Sequence, residues 1–554
     1  MRRAHDMPFG AAPRGDGRFA FRLWAPGEAR IVLEVGEAIA PMNRTHDGWH
    51  EITLPASAGA RYRYRLADGV AVPDPASRFN PDDVHGPSQL VDPRAYEWRE
   101  ASWRGRPWEE TVIYELHVGT FTPRGSFAGV RERLPELAAL GVTALELMPV
   151  ADFPGARGWG YDGVLPFAPD ASYGTPTDFK ALVDAAHAHG LMVLLDVVYN
   201  HFGPCGNYLH AYCPQFFNRD RRTPWGAAIN FDGPQSRTVR DFFLHNALYW
   251  IEEYALDGLR LDAVHAIHDG SVPHIVDEIA AAVRDGPGRE RYVHVVLEDE
   301  RCDERFVRGG RVKQWNDPLH HAWHVLLTGE ADGHYAPFAA APLEGLAEAL
   351  TAAPGTRVAF LQNHAPVGNR ALGERLHGLA EPRRERAALA CVLLAPQVPM
   401  LFMGEEYAAS TPFLYFCDFA DGLARSVREA RRAEFARFAT FADACARERI
   451  PDPNDPATQA ASRLDWSERA RAPHRERLEL VRRLLALRRE RLVPRLAGTA
   501  PGRTELVGTT LRAHWTLGDG SLLSIALDFG APPPQVPGET LYAAGDIRVG
   551  LRAP

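Results

Sequence analysis

The stretch that decides the fold is D-G-L-R-L-D-A-V-H-A-I, residues 257–267, an apolar strand pattern that carries two internal charges. Because side chains alternate along a strand, Arg260 and Asp262 share one face and two leucines share the other. In a (β/α)8 barrel the leucines would face the helices, and the charged pair would point inward at the mouth where such barrels carry their active sites. A carboxylate held beside a guanidinium stays ionised and can act as a nucleophile. A lone Arg-x-Asp is more often a structural ion pair, so the surrounding sequence is needed to distinguish a catalytic carboxylate from a structural one.

Seven further apolar segments predict strands, and helical segments separate them. The strands are 111–118, 142–150, 191–198, 292–298, 358–362 and 399–404, with a sixth barrel strand near 312–315, and helices are predicted at 131–140, 179–189, 237–255 and 273–284. Continuous apolar strands that alternate with helices indicate a parallel sheet covered on both faces. The number of repeats favours a closed (β/α)8 TIM barrel, an α/β fold, over an open sheet. We place this catalytic domain at residues 96–490.

Short segments of alternating polarity flank the barrel on both sides. At the N-terminus they predict a β-sandwich over residues 1–95, and beyond residue 490 they predict a small C-terminal β domain over 491–554. Trp24 and Trp49 could be sugar platforms, but on half-buried strands they are more often core. The segment 73–93 is rich in Pro, Asp and Gly and is expected to be a linker packed against the barrel.

Composition narrows the function classes. The net charge is −9 without long blocks of either sign, which argues against nucleic acid and anionic membranes as partners. Six scattered cysteines in 554 residues suit neither a disulfide framework nor a zinc site. The apolar segment 387–403 is interrupted by two prolines and is expected to be a buried helix and strand, and the N-terminus has no signal-like apolar core. We therefore expect a cytoplasmic enzyme that needs no metal or cofactor.

Polar residues gather where the predicted strands end. Asp262 and Glu298 follow neighbouring strands and would flank one cleft, which is the arrangement of nucleophile and proton donor that retaining glycoside hydrolysis needs. Glu298 would need a raised pKa, to which Asp299 and Glu300 could contribute, although Glu300 is more plausibly part of a solvent-facing acidic loop. The other polar residues at these ends are Asp196, Asn200, His201, Arg260, His265, Gln362, Asn363 and His364.

Four stretches in this order resemble the signatures of the α-amylase family of glycoside hydrolases. They are D-V-V-Y-N-H (196–201), G-L-R-L-D-A-V-H (258–265), L-E-D-E (297–300) and Q-N-H (362–364). Each motif alone is weak, and the fixed order with a barrel between them makes the match specific. The resemblance implies that Asp262 is the nucleophile and Glu298 the acid/base.

Further stretches are similar to the malto-oligosyltrehalose trehalohydrolases and span almost the whole chain. They are 74–79, 84–88, 159–164 (W-G-Y-D-G-V), 200–208, 320–330 and 398–407 (V-P-M-L-F-M-G-E-E-Y). The resemblance implies hydrolysis of the α-1,4 bond that joins a terminal trehalose unit to a malto-oligosaccharide, with release of trehalose. It also implies action after a trehalose-synthase-type partner enzyme, and no dependence on calcium.

The same resemblance implies a set of substrate contacts. Arg260 would hold Asp262, while His201 and His364 would hydrogen-bond the sugar at the cleavage subsite. Tyr161 would stack beneath that sugar, with a packed loop aromatic as the close alternative. The remaining residues expected to bind substrate are Asp196, Asn200, His265, Trp159 and Trp315.

One position departs from the family pattern. The family has N-H-D in its fourth signature, whereas this chain has Asn363-His364-Ala365-Pro366. The carboxylate that would grip ring hydroxyls is absent, and Pro366 is expected to push Ala365 toward extended geometry. Loss of such contacts could lower the rate roughly a thousandfold. The site could be inactivated, could belong to a glycan-binding relative, or could restore the contact in another way.

A second departure is Asp317-Pro318, where the family has two acidic residues; it puts a substrate contact in doubt. The alternatives to a trehalose-releasing hydrolase are a branching or debranching enzyme, which also has an N-terminal sandwich, and a non-catalytic α-glucan-binding protein. The histidines at 265, 268, 320, 321 and 324 have no matching carboxylate pattern for a catalytic metal.

Overall fold

Eight parallel strands close into a barrel, which confirms the predicted fold class. In this computed structural model, which describes residues 1–308 and 310–554, each strand pairs with the next and the last pairs with the first. All eight lie within or overlap the predicted segments, including the sixth. Their bounds are Ile113–Leu116, Ala144–Leu147, Met192–Val197, Gly258–Leu261, His294–Leu297, Lys313–Trp315, Arg357–Ala359 and Val398–Phe402.

Helices follow the strands and cover the outside of the barrel. The helix Pro176–Ala188 begins with a capping box in which Thr175 and Asp178 satisfy each other's backbone N–H groups. The fifth strand is followed only by the single-turn helix Glu304–Val307. The main helices are Phe127–Leu140, Pro176–Ala188, Ser236–Glu253, Ile275–Asp285, Asp317–Thr328, Pro342–Thr351, Pro382–Leu394, Asp421–Phe435 and His474–Leu487.

The fourth strand is fixed at its amino-terminal end. The Asp257 carboxylate accepts hydrogen bonds from His187 Nε2, from the Val193 backbone N–H, both at 2.9 Å, and from Trp103 Nε1 at 2.8 Å. A Cβ on Gly258 would lie 2.4 Å from the carbonyl oxygen of His294, so the close strand approach requires glycine. This anchoring sets the register that carries the fourth strand's charged residues to the opposite end.

Two antiparallel sheets precede the barrel. One contains Gly10–Pro13, Arg18–Trp24, Trp49–Pro55 and Asn43–Arg44; the other contains Ala38–Pro41, Val32–Val35, Arg61–Arg65 and Ala71–Val72, with Ser88–Gln89 paired to Arg61–Arg65. Trp24 is buried as predicted, whereas Trp49 is half-buried beneath the Arg22 guanidinium. In the linker, Arg78 pairs with Glu253 of a barrel helix at 3.2 Å, so this segment packs against the barrel.

A five-stranded antiparallel sheet follows the barrel. Its strands are Arg503–Val507, Thr510–Thr516, Leu522–Asp528, Ile547–Arg552 and Glu539–Ala544, in that spatial order. The domain limits at residues 95 and 490 remain predictions. In the part of the chain that the structure describes, no helix has the length and apolarity needed to cross a membrane.

Candidate active site

Arg260 lies at the centre of the barrel's carboxyl-terminal mouth. Its Nη1 donates to Asp196 Oδ2 at 2.6 Å and to Asp262 Oδ1 at 2.8 Å, and its Nη2 lies 3.3 Å from Glu298 Oε2. The strand register places Asp196 directly beside Arg260 on the neighbouring strand. One guanidinium therefore brings together three carboxyl groups from three consecutive barrel strands.

Burial opposes the charge of Arg260, but the carboxylates of Asp196 and Asp262 outweigh it and raise the pKa of the guanidinium. Its positive charge is permanent at this position. The indole ring of Trp315 lies 4.2 Å below the guanidinium and is 1% exposed. The prediction that Trp315 contacts substrate therefore needs correction: the ring supports Arg260 and has no surface left for a sugar.

Asp262 is held in one orientation from both sides. Its Oδ2 accepts a hydrogen bond from Asn200 Nδ2 at 2.8 Å, while Oδ1 accepts from Arg260. Asn200 Nδ2 also donates to the main-chain carbonyl of Asp262 at 3.0 Å. Asn200 thus positions the carboxylate, which differs from the direct substrate contact that we expected of it.

Glu298 has the environment of a proton donor. Its Oε2 accepts a hydrogen bond from the Ala263 backbone N–H at 2.7 Å. Burial raises the pKa of this carboxyl, and the nearby Asp262 adds to the effect, while Arg260 opposes it. A carboxyl that holds its proton beside one that is fixed by a guanidinium is the division of roles seen in retaining glycosidases.

The two acidic neighbours of Glu298 lie elsewhere. Asp299 is buried and accepts from the backbone N–H groups of Arg301 and Asp303. The carboxylate of Glu300 is exposed and lies near His265 and His334. Neither is among the main causes of the raised pKa of Glu298, because burial and Asp262 dominate.

Two of the predicted sugar contacts lie together beside Asp196. The Tyr161 hydroxyl is 2.6 Å from Asp196 Oδ2 and 2.9 Å from His364 Nε2, and the rings of Tyr161 and His364 stack at 5.1 Å. Burial raises the pKa of Asp196 to about 6, with Asp262 adding to the shift and Arg260 opposing it. His201 approaches from the other side, with its Nε2 3.1 Å from the Tyr161 carbonyl oxygen.

His265 and Trp159 occupy different surroundings. His265 is half-buried at the rim, and its Nδ1 accepts from the Glu300 backbone N–H at 3.3 Å. Trp159 is 6% exposed, stacks on Phe413 and donates through Nε1 to the Leu414 carbonyl at 2.9 Å. The expected sugar contact of Trp159 is therefore corrected: the indole is packed and supports His364 with its edge.

Ala365 lies in the first turn of a short helix, His364–Gly368, which Asn363 caps by accepting from the Ala365 backbone N–H at 2.9 Å. The expectation of extended geometry at Ala365 was wrong. Pro366 falls within the first helical turn, where the missing N–H leaves no helical hydrogen bond unmade. The fourth signature thus keeps a regular helical turn, and only its carboxylate is missing.

Sequence reasoning missed two residues of the site. Glu115 lies in the first barrel strand, and both of its oxygens contact His364; a charge inside an apolar strand was the available signal, as it was for Arg260. Trp225 is 49% exposed in the hairpin formed by Phe217–Thr223 and Gly226–Ile229, and its ring stacks on His201 at 5.1 Å. The exposed face of the Trp225 ring could stack against a sugar ring.

Asp317 also faces the cleft region. It is the first residue of the helix Asp317–Thr328, and its Oδ2 is buried without a hydrogen-bond partner among the described residues. Burial raises the pKa of this carboxyl to about 8, and Glu298 adds to the shift. Pro318 occupies the first helical turn, a position that tolerates proline, so the second departure leaves the helix intact.

Within residues 1–308 and 310–554, no group of three His, Cys, Asp or Glu side chains is placed to hold a metal ion. His320 contacts the Leu361 carbonyl oxygen at 2.6 Å, and His324 pairs with Glu330 at 2.7 Å. These histidines are engaged in packing and ion pairs.

Comparison with known proteins agrees with this geometry. The family model described as alpha amylase, catalytic domain, matches residues 77–225. The chain is 41% identical to malto-oligosyltrehalose trehalohydrolase from Deinococcus radiodurans, over 88% of this chain and 82% of the relative. It is 40% identical to the protein of that name from Arthrobacter ramosus, over 96% of each chain.

Solved structures give the same picture. The crystal structure of a putative alpha amylase from Salmonella typhimurium has a TM-score of 0.92 and 40% identity, covering 98% of this chain and 99% of its own. A pullulanase from Anoxybacillus sp. LM18-11, complexed with maltotetraose, has a TM-score of 0.74 at 17% identity, covering 100% of this chain and 88% of its own. The second similarity concerns the fold alone.

Proposed function

Because the chain belongs to the malto-oligosyltrehalose trehalohydrolase family, we propose that it hydrolyses the α-1,4 bond next to the terminal trehalose unit of maltooligosyltrehalose, releasing trehalose and a malto-oligosaccharide. The chain is a glycoside hydrolase of the α-amylase family, and its substrate is an oligosaccharide. The observation that carries retaining hydrolysis is the convergence of Asp262 and Glu298 on one guanidinium, and the choice of bond rests on the likeness to the trehalohydrolases.

In the proposed mechanism, Asp262 attacks the anomeric carbon while Glu298 gives its proton to the glycosidic oxygen. The C–O bond to the leaving trehalose breaks, and a covalent glucosyl–Asp262 ester forms. Glu298, now ionised, takes a proton from water, whose oxygen attacks the same carbon and releases Asp262. Two displacements at one centre retain the anomeric configuration.

The roles of the surrounding residues follow from their contacts. Arg260 and Asn200 fix the two oxygens of Asp262, so the nucleophile needs no reorientation before attack. Tyr161 offers a ring next to Asp196, and His364 and His201 lie on either side of it. We propose that these three side chains bind the glucosyl unit that is transferred to Asp262.

Trp225 supports an additional sugar contact. Its exposed ring lies in a hairpin over the third-strand loop and is backed by His201. Aromatic faces bind the apolar faces of sugar rings by contact and by exclusion of water. We propose that Trp225 stacks on a sugar of the bound oligosaccharide.

The alanine at position 365 is expected to lower the rate of turnover. The resemblance places the third carboxylate of the family at this position, where a methyl group stands. We propose that the chain turns over slowly because the contact that should strengthen in the transition state is missing. The same observation favours a second candidate, an α-glucan-binding protein without turnover.

The chemistry also implies a preceding reaction and a location. A glucan that ends in trehalose must be made by an enzyme that converts the last α-1,4 bond, at the reducing end of a malto-oligosaccharide, into the α,α-1,1 bond of trehalose, and we propose that the chain acts after such a partner. Cytoplasmic location is a further proposal, supported by six cysteines that are all free thiols.

Product analysis tests the proposal. Maltotriosyltrehalose is incubated with the unmodified chain and with Asp262→Asn, and the products are separated by chromatography. The proposal predicts trehalose and maltotriose from the unmodified chain only. Oligosaccharide binding without any product would support the binding protein, and cleavage or formation of α-1,6 bonds would support a branching or debranching enzyme.

A further inference from the structure

A buried series of contacts leads from the first barrel strand to the catalytic guanidinium. Glu115 Oε2 accepts a hydrogen bond from the His364 backbone N–H at 2.9 Å, and its Oε1 lies 2.6 Å from His364 Nδ1. The series continues from His364 Nε2 to the Tyr161 hydroxyl and from there to Asp196, which accepts from Arg260. Glu115 is 1% exposed, so water does not compete for its two contacts with His364.

We propose that Glu115 is a positioning residue of this active site: as a carboxylate that accepts both the backbone N–H and the Nδ1–H of His364, it fixes the orientation and tautomer of the imidazole, so that Nε2 points to Tyr161 and the cleft. Two N–H donors on one carboxylate give charge-assisted bonds, which are the stronger kind. Glu115 thus contacts both the main chain and the ring of His364. The effect on turnover rests on the proposed function.

Other titratable groups surround the series. Glu146 lies beside Glu115 on the second strand, and both of its oxygens have no hydrogen-bond partner among the described residues. Burial raises the pKa of Glu146 well above its ordinary value, and Glu115 adds to the effect. Burial lowers the pKa of His117 to about 4. Glu146 is an equally buried neighbour without hydrogen bonds to the series, and it provides a matched control for substitution of Glu115.

The tautomer of His364 can be measured directly. Protein with ¹⁵N-labelled histidine is compared by long-range ¹H–¹⁵N spectroscopy for the unmodified chain, Glu115→Gln and Glu146→Gln, with His364 identified through His364→Gln. We expect a protonated Nδ1 in the unmodified chain and in Glu146→Gln, and its loss in Glu115→Gln. An unprotonated Nδ1 in the unmodified chain, or an unchanged His364 signal in Glu115→Gln, would overturn the proposal.

Turnover provides a separate result. Glu115→Gln is expected to lower kcat for trehalose release about ten- to a hundredfold, as removal of an orienting partner does elsewhere, while Glu146→Gln stays within about twofold. If the unmodified chain released no trehalose, the proposed function would fail while the spectra still decided the role of Glu115. Should Glu115→Gln not fold, Tyr161→Phe serves instead: Nδ1 must stay protonated while the Nε2 signal shifts, and a lost Nδ1 proton would contradict the proposal.

Discussion

Glu298 accepts a hydrogen bond from the backbone N–H of Ala263, the residue that directly follows Asp262. Ala263 has a left-handed backbone, with φ 42° and ψ 50°, a conformation that is uncommon for a residue other than glycine. The turn points its N–H at the neighbouring strand. The relative position of the Asp262 and Glu298 carboxyls is thus fixed by the main chain as well as by Arg260.

The pH dependence of kcat/KM is expected to follow Glu298. Since burial and Asp262 raise the pKa of this acid, the protonated, active form persists above the ordinary glutamic acid range of about 4.3 and is lost as the pH rises through the raised value. The pH–rate profile with an oligosaccharide substrate measures this alkaline limb. Glu298→Gln should abolish turnover, and a limb at the ordinary pKa would contradict the assignment.

Restoring the missing carboxylate should increase turnover. Ala365→Asp is expected to raise kcat by up to about a thousandfold, because contacts to ring hydroxyls strengthen in the transition state. Ala365→Asn is the control, since it has the same size without the charge. Equal rates in the two variants would show that the carboxylate is not what the site lacks.

Trp225→Ala should weaken substrate binding. Loss of a stacked aromatic face is expected to raise KM about tenfold, equivalent to roughly 1.4 kcal/mol, with a smaller change in kcat. Tyr292→Ala removes a similarly exposed ring (51%) that precedes the fifth strand at the opposite end of the barrel. Steady-state kinetics with maltotriosyltrehalose compares them; the same KM change in both would exclude a specific platform.

Asp257→Ala should destabilise the fold by about 3–5 kcal/mol, because it leaves the buried Arg291 and His187 without their carboxylate. Burial would raise the pKa of Asp257, but His187 and Arg291 outweigh it and lower the pKa. The contribution is therefore present at neutral pH and lost as the pH falls through the lowered value.

Urea unfolding at several pH values measures this contribution. In the unmodified chain the free energy of unfolding should fall at acid pH more steeply than in Asp257→Ala. The exposed pair Arg284–Asp285 supplies the control, and Asp285→Ala should leave the free energy of unfolding nearly unchanged. An equal loss of unfolding free energy in Asp257→Ala and Asp285→Ala would contradict the role of Asp257 in anchoring the fourth strand.

The barrel could be predicted from the sequence because its strands are buried and therefore appear as short, continuous apolar segments between helical segments. The inward charges of the fourth strand stand out in an apolar stretch, and even the three-residue strand Lys313–Trp315 lies where it was expected. The proximity of Asp262 and Glu298 could be predicted for the same reason, since both follow buried neighbouring strands.

The predictions that were wrong concern side chains whose orientation depends on packing against residues distant in the sequence. Trp315 and Trp159 were expected at the sugar, yet one supports Arg260 and the other packs on Phe413. Local spacing contains no information about which face of an indole another loop covers. Glu115 was overlooked although it is a charge in a buried strand, because its partner His364 lies 249 residues away in the chain.

The most direct measurement of the central claim is the trapping of the covalent intermediate. Glu298→Gln, which should slow deglycosylation, is incubated with maltotriosyl fluoride, whose leaving group needs no acid, and the protein is digested and analysed by mass spectrometry. The proposed mechanism predicts a maltotriosyl adduct on Asp262 and none in a protein that also carries Asp262→Asn. An adduct on another carboxylate, or turnover with inverted configuration and no adduct, would contradict it.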